Sequence, residues 1–339
     1  MRIERFYPET DEARLRACHE MVMAARPEDD PNAPPMSFGM FRGWWIYGFA
    51  GEPQQMWIAT ADSGELVGCY MLELPDRENR STGFLHPFVA PTARRRGIGT
   101  ALVVHAAEQA ELANRALLMS DARVGAPGAA FAVAIGAKTG MQDARRILDV
   151  GPALHSKLAG LRAAAEPHAA GYSLRTWTGL TPTDLVSQAC ELYTALGDAP
   201  HEEAFEPARW DPARLGAAEQ RVIAQGTRWY SVVAMHDASG EMAALTQVNV
   251  DPDVPGWAFQ EITAVTRQHR GHRLGMLVKV AMLERLTELE PQVRQIMTFN
   301  AVQNDHMIAV NDELGHRVSD YYQGFELDVP AARKLRASK

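Results

Sequence analysis

Two stretches of this 339-residue chain combine arginines with closely spaced glycines in a pattern suited to phosphate binding. The first, Val89–Thr100, reads VAPTARRRGIGT, and the second, Val265–Met276, reads VTRQHRGHRLGM. A β-type run precedes each stretch and a helix-type run follows it, so the glycines fall at the start of a helix. Unpaired backbone N–H groups and the positive end of the helix dipole would bind a pyrophosphate there.

The residues that would surround such a phosphate come from both loops. Small residues let the phosphate approach the backbone, and arginines add positive charge. The candidates in the first stretch are Arg94, Arg95, Arg96, Gly97, Ile98, Gly99 and Thr100. The candidates in the second stretch are Arg270, Gly271, His272, Arg273, Gly275 and Met276. The alternative for either stretch alone is a tight turn with a solvated basic loop, and finding the pattern twice makes that alternative less favoured.

The two stretches belong to a long internal repeat. Val89, Arg94 and Gly99 each have a counterpart exactly 176 positions later, at Val265, Arg270 and Gly275. The same offset relates an upstream turn, Asp62–Glu65, to Ala238–Glu241. Solenoid repeats have periods of about 20–50 residues, so this repeat indicates two copies of a whole domain.

The pattern V-x-P-x-x-R-x-x-G-x-G/A between a strand and a helix resembles motif A of the GNAT N-acyltransferases, and its doubling resembles the tandem GNAT group. The resemblance implies an α/β (α+β) fold with a mixed sheet, splayed between its fourth and fifth strands, in each of two domains. It also implies that acetyl-CoA is the co-substrate and that its pantetheine arm pairs with the fourth strand. Phe88, Val89 and Val265 would then contact the cofactor.

Composition supports a globular enzyme without naming its substrate. Asp and Glu number 42 and Lys and Arg 34, a net charge of −8, which argues against nucleic acid and favours cationic substrates. The three cysteines are far apart and predict neither a disulfide framework nor a zinc site. No apolar run approaches the roughly 18 residues of a membrane span, and the first residues lack a signal-like apolar segment. We therefore expect no membrane partner and a cytoplasmic location.

Periodicity places both copies on the chain. We predict an N-terminal domain at residues 1–150, a helical connector at 151–171 and a C-terminal domain at 172–339. Strands of the first copy are predicted at Arg2–Phe6, Met56–Ala61, Leu66–Leu74, Gly83–Val89, Ala116–Ser120 and Arg145–Val150. Those of the second are predicted at Tyr172–Trp177, Trp229–His236, Ala243–Val250, Trp257–Val265, Arg294–Phe299 and Phe325–Val329. The aromatic segment Phe38–Phe49 is where the resemblance implies part of an acceptor pocket.

The two copies depart from the family pattern in opposite ways. The first copy keeps both loop glycines, whereas Arg273 replaces the first of them in the second copy. Downstream, the resemblance implies a cofactor-binding Asn and a Tyr that protonates the leaving thiolate. The second copy keeps the Asn as Asn304 and has Asn311 at the Tyr position, whereas the first copy has Gly125 and Ala132 at these places. Which copy performs chemistry therefore stays open.

A general base is needed because a neutral amine must attack the thioester. Glu261, on the strand before the second loop, is the best-placed carboxylate, and His86 is the only such group on the matching strand of the first copy. An ordinary strand glutamate facing solvent and a hydrogen-bonded core histidine are their alternatives. Tyr321 and Tyr322 are reserve acids.

Competing motifs are weak. His269 and His272 have a spacing that could suit a metal, but arginines flank the pair and no third ligand is close in sequence, so we predict no metal. The chain lacks H-E-x-x-H, G-x-S-x-G and Walker A motifs, and Leu102 stands where a dinucleotide fingerprint requires its third glycine.

The sequence thus predicts an acetyl-CoA-dependent N-acetyltransferase that acts on a primary amine of a small molecule or peptide. A monomer built of two similar domains, or a homodimer, is expected. The alternative is a CoA-binding sensor or interaction protein that has lost its chemistry, which the missing tyrosines favour.

Overall fold

A computed structural model describes residues 1–52, 54–198 and 205–336 of the chain. The chain forms two compact units. Unit 1 comprises Met1–Asp143, Glu202–Glu206 and Asp320–Lys339, and unit 2 comprises Ala144–His201 and Pro207–Ser319. Each unit thus takes its residues from discontinuous segments, and its limits differ from the predicted boundaries at residues 150 and 171. As limits of the two repeats those boundaries stay a prediction.

The elements of the first repeat follow one another as predicted. They are β1 (Arg2–Phe6), α1 (Glu12–Asp29), α2 (Phe38–Tyr47), β2 (Gln54–Thr60), β3 (Leu66–Glu73), β4 (Thr82–Val89), α3 (Ile98–Leu112), β5 (Leu117–Arg123), α4 (Pro127–Ala134) and β6 (Lys138–Asp149). Asp11 caps α1 by accepting a hydrogen bond from the backbone N–H of Arg14.

The second repeat has the same order after one additional helix. Its elements are α5 (Pro152–Ala165), β7 (Tyr172–Thr178), α6 (Val186–Ala195), α7 (Pro212–Gln225), β8 (Arg228–His236), β9 (Met242–Val250), β10 (Trp257–Val265), α8 (Leu274–Leu289), β11 (Gln295–Ala301), α9 (Asp305–Leu314), β12 (Arg317–Asp328) and α10 (Val329–Ala332). The last strand is longer than the predicted Phe325–Val329 because it begins directly after the turn at Gly315 and His316.

In unit 1 the strand order is β1-β2-β3-β4-β5-β12. Strands β1 to β4 are antiparallel neighbours, and β5 lies parallel to β4. The β4–β5 pairing extends only from Thr82–Leu117 to Phe84–Met119. Beyond Phe84 the two strands separate, which confirms the mixed sheet and the splay that the family resemblance implies.

In unit 2 the strand order is β6-β11-β10-β9-β8-β7. The parallel pair β10–β11 likewise pairs only over Trp257–Phe259 and then separates. One difference distinguishes this unit. The β9–β10 pairing shifts register between Gln260 and Ile262, so Glu261 is the extra residue of a β-bulge, whereas β3 and β4 pair without interruption.

Hydrophobic burial is arranged differently in the two units. Unit 1 has one large cluster that includes Leu15 of α1, Leu72 of β3 and Leu102 of α3. Unit 2 has two clusters, one formed by α5, α8 and the sheet, the other by α6, α7 and the sheet. Helix α8 is buried from Leu274 through Leu283, around its whole circumference. Within the described parts of the chain, every helix is too short or too polar to cross a membrane.

Candidate functional site

The two glycine–arginine loops have nearly the same backbone. Each follows its strand with a short 3-10 turn, Pro91–Ala93 or Arg267–His269. An extended arginine comes next, Arg94 with φ −63° and Arg270 with φ −70°. Helices α3 and α8 then start without a hydrogen bond from a capping side chain, so both offer backbone N–H groups at their first turn.

Left-handed residues occur at the same two places in both loops, but glycine and arginine are exchanged. Arg95 has φ +62° and Gly97 has φ +78°, whereas their counterparts Gly271 and Arg273 have φ +88° and +51°. The replacement of a loop glycine by Arg273 therefore leaves the course of the backbone unchanged. Its cost is a left-handed conformation for a non-glycine residue, which each loop carries once.

Several predicted phosphate-binding arginines already have protein partners. The Arg94 guanidinium donates to Glu28 Oε2 at 2.7 Å and to Asp29 Oδ2 at 2.6 Å, and Arg273 pairs with Glu313. The charges of Arg94 and Arg273 are therefore already paired with carboxylates of the protein, and these ion pairs fix the two loops. Arg95 and Arg96 are exposed, and neither has an ion pair among the described residues.

The start of α3 is accessible. Ile98, Gly99 and Thr100 are half-buried, and α4 has no buried residue although its sequence is almost wholly apolar. Gly99 also has a packing role, since a Cβ added there would lie 3.3 Å from the ring of Phe131. We call each glycine–arginine loop, together with the helix start that follows it, a cradle. The first cradle is thus an open surface next to the apolar helix α4.

The start of α8 is covered. Gly275 is buried, and Met276 is only 2% exposed. Helix α5, predicted as a connector, packs along α8 in the same apolar cluster, with its start beside the end of α8, where His155 meets Thr287. Two further contacts hold the loop that precedes α8. His272 Nδ1 lies 3.1 Å from the His168 carbonyl, and Lys157 Nζ donates at 3.0 Å to the carbonyl of Glu313, the partner of Arg273.

A buried polar group in unit 2 joins α8, α9 and β11. Lys279 Nζ donates to Asn311 Oδ1 at 2.8 Å, and Asn311 Nδ2 donates to Asn300 Oδ1 at 2.6 Å. Burial lowers the pKa of Lys279 to about 7. Burial and the nearby Lys279 lower the pKa of His316 to about 3. A cavity of about 10 Å³, the space of roughly one water, lies beside Lys279 and His316.

Two predicted residues of the second copy consequently have structural roles. Asn311 is wholly buried, where its side chain bonds to Lys279 and Asn300. The Asn304 side chain caps α9 by accepting a hydrogen bond from the backbone N–H of Met307 at 3.2 Å. Neither contact was foreseen from the family pattern, because both depend on helix capping and core packing.

In unit 1, His86 lies on the separated part of β4. Its Nε2 is 3.7 Å from Glu73 Oε1, a carboxylate on β3 that is 7% exposed. The Trp44 ring stands edge-on to the imidazole with centroids 6.4 Å apart, and Trp45 lies 6.3 Å from Phe88. The face of β4 that carries His86 therefore looks towards the aromatic residues of α2.

In unit 2, Glu261 sits in the bulge of β10 and accepts a hydrogen bond from Asn249 Nδ2. Its side chain reaches water, yet protein surrounds it densely, and this burial raises the pKa of Glu261 against the opposing effects of Arg221 and Asn249. Burial and the Glu261 charge raise the pKa of Tyr193, whose hydroxyl donates to Gln247. These groups form a second polar site, on the α6–α7 side of the sheet.

The sequence reasoning missed Glu73, Tyr193 and Lys279. No motif contains them, although Glu73 ends an apolar strand and Lys279 interrupts an apolar helix, which are both detectable signals. Of the reserve acids, Tyr321 is exposed and Tyr322 donates to Asp30 Oδ2 at 2.5 Å.

Comparisons with known proteins agree with this geometry. A family model described as an acetyltransferase (GNAT) domain matches residues 52–131. A solved tandem GNAT protein from the clavulanic acid biosynthesis pathway is 29% identical, with a TM-score of 0.77, and the match covers 97% of this chain and 98% of that one. A search of curated proteins gave no match.

Two more distant structures share the fold. A GCN5-related N-acetyltransferase from Sphaerobacter thermophilus is 16% identical with a TM-score of 0.64, covering 97% of this chain and 95% of its own. A GNAT acetyltransferase from Colwellia psychrerythraea is 13% identical with a TM-score of 0.57, covering 96% and 100%. Residues 52–131 thus match a GNAT acetyltransferase domain, and the whole chain has the fold of a tandem GNAT protein.

Proposed function

We propose that the protein is an acetyl-CoA-dependent N-acetyltransferase whose reaction takes place in the first repeat, on a primary amine of a small molecule. The observation that carries this proposal is a contrast of accessibility. The helix start in unit 1 is open and lies on the same strand–loop–helix segment as His86, whereas the first turn of its counterpart in unit 2, at Gly275 and Met276, is buried.

The residues of unit 1 fit acetyl-CoA. The N–H groups of Gly99 and Thr100 are at the uncapped start of α3, beside exposed Arg95 and Arg96, where a pyrophosphate would lie. Past Phe84 the edge of β4 that faces β5 has no strand partner among the described residues, so its backbone would pair with pantetheine. When bound, acetyl-CoA supplies the thioester that the amine attacks.

His86 would take the proton from the amine. Its Nε2 faces Glu73, which favours the tautomer with the proton on Nε2 and leaves Nδ1 as the basic atom. The buried carboxylate of Glu73 would orient the ring and stabilise the imidazolium once it forms, as acids do beside catalytic histidines. Backbone N–H groups of the separated strand would polarise the carbonyl.

The acceptor would be a cationic amine before it loses its proton. The net charge of −8 attracts cations, and the aromatic face of α2 beside His86 provides apolar and cation–π contacts. The name of the tandem GNAT relative mentions a biosynthetic pathway, which favours a small molecule over a protein as acceptor. A cytoplasmic location and a monomeric or homodimeric state stay predictions.

The second repeat supports a different hypothesis. Glu261 and Tyr193 have the raised pKa values of an acid–base site, but the covered start of α8 leaves little room for CoA beside them. If neither repeat transferred an acetyl group, the protein would be a CoA-binding sensor.

Calorimetry with CoA, followed by acetyl transfer to a panel of amines, tests the proposal. We expect one CoA per chain, and transfer to at least one cationic small molecule. Binding without transfer to any amine would favour the sensor, and the absence of CoA binding would contradict both readings.

A further inference from the structure

Three side chains of unit 2 bring possible metal ligands together. One nitrogen each of His236 and His269 and a carboxylate oxygen of Glu241 lie within 4.8 Å of one another. His236 ends β8, Glu241 lies in the turn before β9, and His269 ends the 3-10 turn ahead of α8. Two histidines and a carboxylate are a common ligand set for zinc and related divalent ions.

His269 carries the clearest signal. It is 8% exposed, and its Nδ1 lies 2.8 Å from the Tyr172 hydroxyl, whereas its buried Nε2 has no hydrogen-bond partner among the described residues. Glu241 Oε2 is 3.5 Å from this Nε2, at the limit for a hydrogen bond. Two ligands bound tetrahedrally to one zinc at about 2.0–2.1 Å would be about 3.4 Å apart. The separation therefore suits a shared ion.

The surrounding hydrogen bonds prepare both histidines as ligands. Ser239 Oγ donates to Glu241 Oε2 at 2.9 Å and lies 2.8 Å from His236 Nδ1. With its own proton given to Glu241, the Ser239 oxygen accepts the proton of His236 Nδ1, and Tyr172 can accept that of His269 Nδ1. Nε2 of each ring then keeps its lone pair, as in proteins where a metal-bound histidine donates its other N–H.

The third ligand, Glu241, is exposed, so its side chain has room to rotate towards the two histidines. His236 and His269 already lie near each other, with ring centroids 5.1 Å apart and ring planes tilted by 44°. Small side-chain rotations would therefore bring all three ligands onto one ion.

We propose that His236, Glu241 and His269 form a binding site for a divalent transition-metal ion, with zinc preferred, and that water completes the coordination. The ion would join the β8–β9 turn to the loop that precedes α8. At the offset of 176 the first repeat has Thr60, Glu65 and Ala93, so the site belongs to the second repeat alone.

The test uses the full-length protein without an affinity tag, stripped of metal with a chelator. Zn²⁺ is titrated against a chromophoric competitor, and Co²⁺ is used as a spectroscopic probe whose visible absorption reports tetrahedral coordination. We expect one ion per chain and a higher melting temperature with Zn²⁺, since the ion binds the folded state.

Variants assign the site. Glu241→Gln and His236→Gln change side chains that are not buried, and we expect each to weaken Zn²⁺ binding at least tenfold and to abolish the Co²⁺ spectrum. His155→Gln, which removes an exposed histidine of α5, is the matched control and should bind like the native chain. Absence of saturable binding in the native chain, or equal affinity in Glu241→Gln and His236→Gln, would overturn the proposal.

Discussion

The two repeats share a loop backbone but differ in what covers it. Both loops place left-handed residues at matching positions and start an uncapped helix. In unit 1 the helix start is accessible, whereas in unit 2 the first turn of the helix is buried and Arg273 ties its loop to Glu313. The same backbone conformation is thus compatible with a binding site in one repeat and with a purely structural loop in the other.

The interiors next to the splayed strands differ as well. Lys279 of α8 corresponds to Val103 of α3 at the offset of 176, and both are buried, at 3% exposure each. The lysine brings Asn311 and His316 into a polar core, and unit 1 has an apolar residue at that place. The buried first turn of α8 and the buried polar group therefore occur in the same repeat.

The strongest test of this comparison replaces the candidate base of each unit, in turn, by glutamine. His86→Gln keeps the shape of the side chain but removes its basicity, and loss of a general base typically lowers the rate by about 10²–10⁴-fold. We expect this deficit in acetyl transfer, shrinking as pH rises and free amine becomes available, with CoA affinity unchanged. Glu261→Gln is the matched variant in unit 2 and should leave the rate nearly unchanged. The reverse result would place the reaction in the second repeat.

A second test concerns the two cradles. Gly97→Asp places at φ +78° a residue type that tolerates the left-handed region better than most, and it sets a carboxylate against the pyrophosphate. We therefore expect about 100-fold weaker CoA binding, in keeping with the cost of opposed like charges. Arg273→Asn changes the matching position of unit 2 while tolerating its left-handed backbone, and it should leave CoA affinity unchanged. Calorimetry measures both. Unchanged affinity in Gly97→Asp would mean that the first cradle is only a scaffold.

A third test addresses the polar core of unit 2. Burial lowers the pKa of Lys279 from 10.5 to about 7, so between these pH values the unfolded chain binds more protons than the folded one. The free energy of unfolding should then rise with pH in this window, by at most about 1.4 kcal/mol per pH unit. Lys279→Met should remove this slope in urea unfolding at pH 7 and 9. Lys157→Met, at an exposed lysine, is the control; a slope that survives in Lys279→Met would show that the amine is not strongly desolvated.

The smallest effect is expected from relieving the left-handed arginines. A left-handed non-glycine residue costs about 1–2 kcal/mol, and glycine loses about 0.5–1 kcal/mol more entropy on folding. Arg95→Gly should therefore stabilise unit 1 by up to about 1 kcal/mol in chemical denaturation. Arg273→Gly also loses the Glu313 contact, so its net change should be close to zero. A larger gain for Arg273→Gly would contradict this difference between the loops.

Local patterns in the sequence predicted most of the fold. Glycine spacing and strand alternation located β4, α3, β10 and α8 within a residue or two, because those signals are set by neighbouring residues. The burial of the second cradle, at the start of α8, is not predictable in the same way. Local patterns predict a helical connector at residues 151–171, but they do not show that Leu154 and Leu158 pack in the same apolar cluster as α8.

Side-chain constellations were harder to predict than elements. The spacing of His269 and His272 drew attention to a pair that the structure separates, since His272 is exposed and absent from the cluster. The real neighbours of His269 are His236 and Glu241, which a hairpin carries to it from earlier in the chain. The Glu73–His86 pair is likewise a contact between two adjacent strands, visible only once their register is known.

The discontinuous make-up of unit 1 has a consequence for how the chain folds. Strand β5 pairs with β12 from Leu117–Asp328 to Arg123–Tyr322, which joins positions about 200 residues apart. Until Asp328 has left the ribosome, β5 lacks this neighbour and presents an unpaired edge. We therefore expect unit 1 to reach its native form late in synthesis, after the residues of unit 2 have emerged. Its folding should also be slow, because the β5–β12 pairing joins residues that are far apart in the sequence.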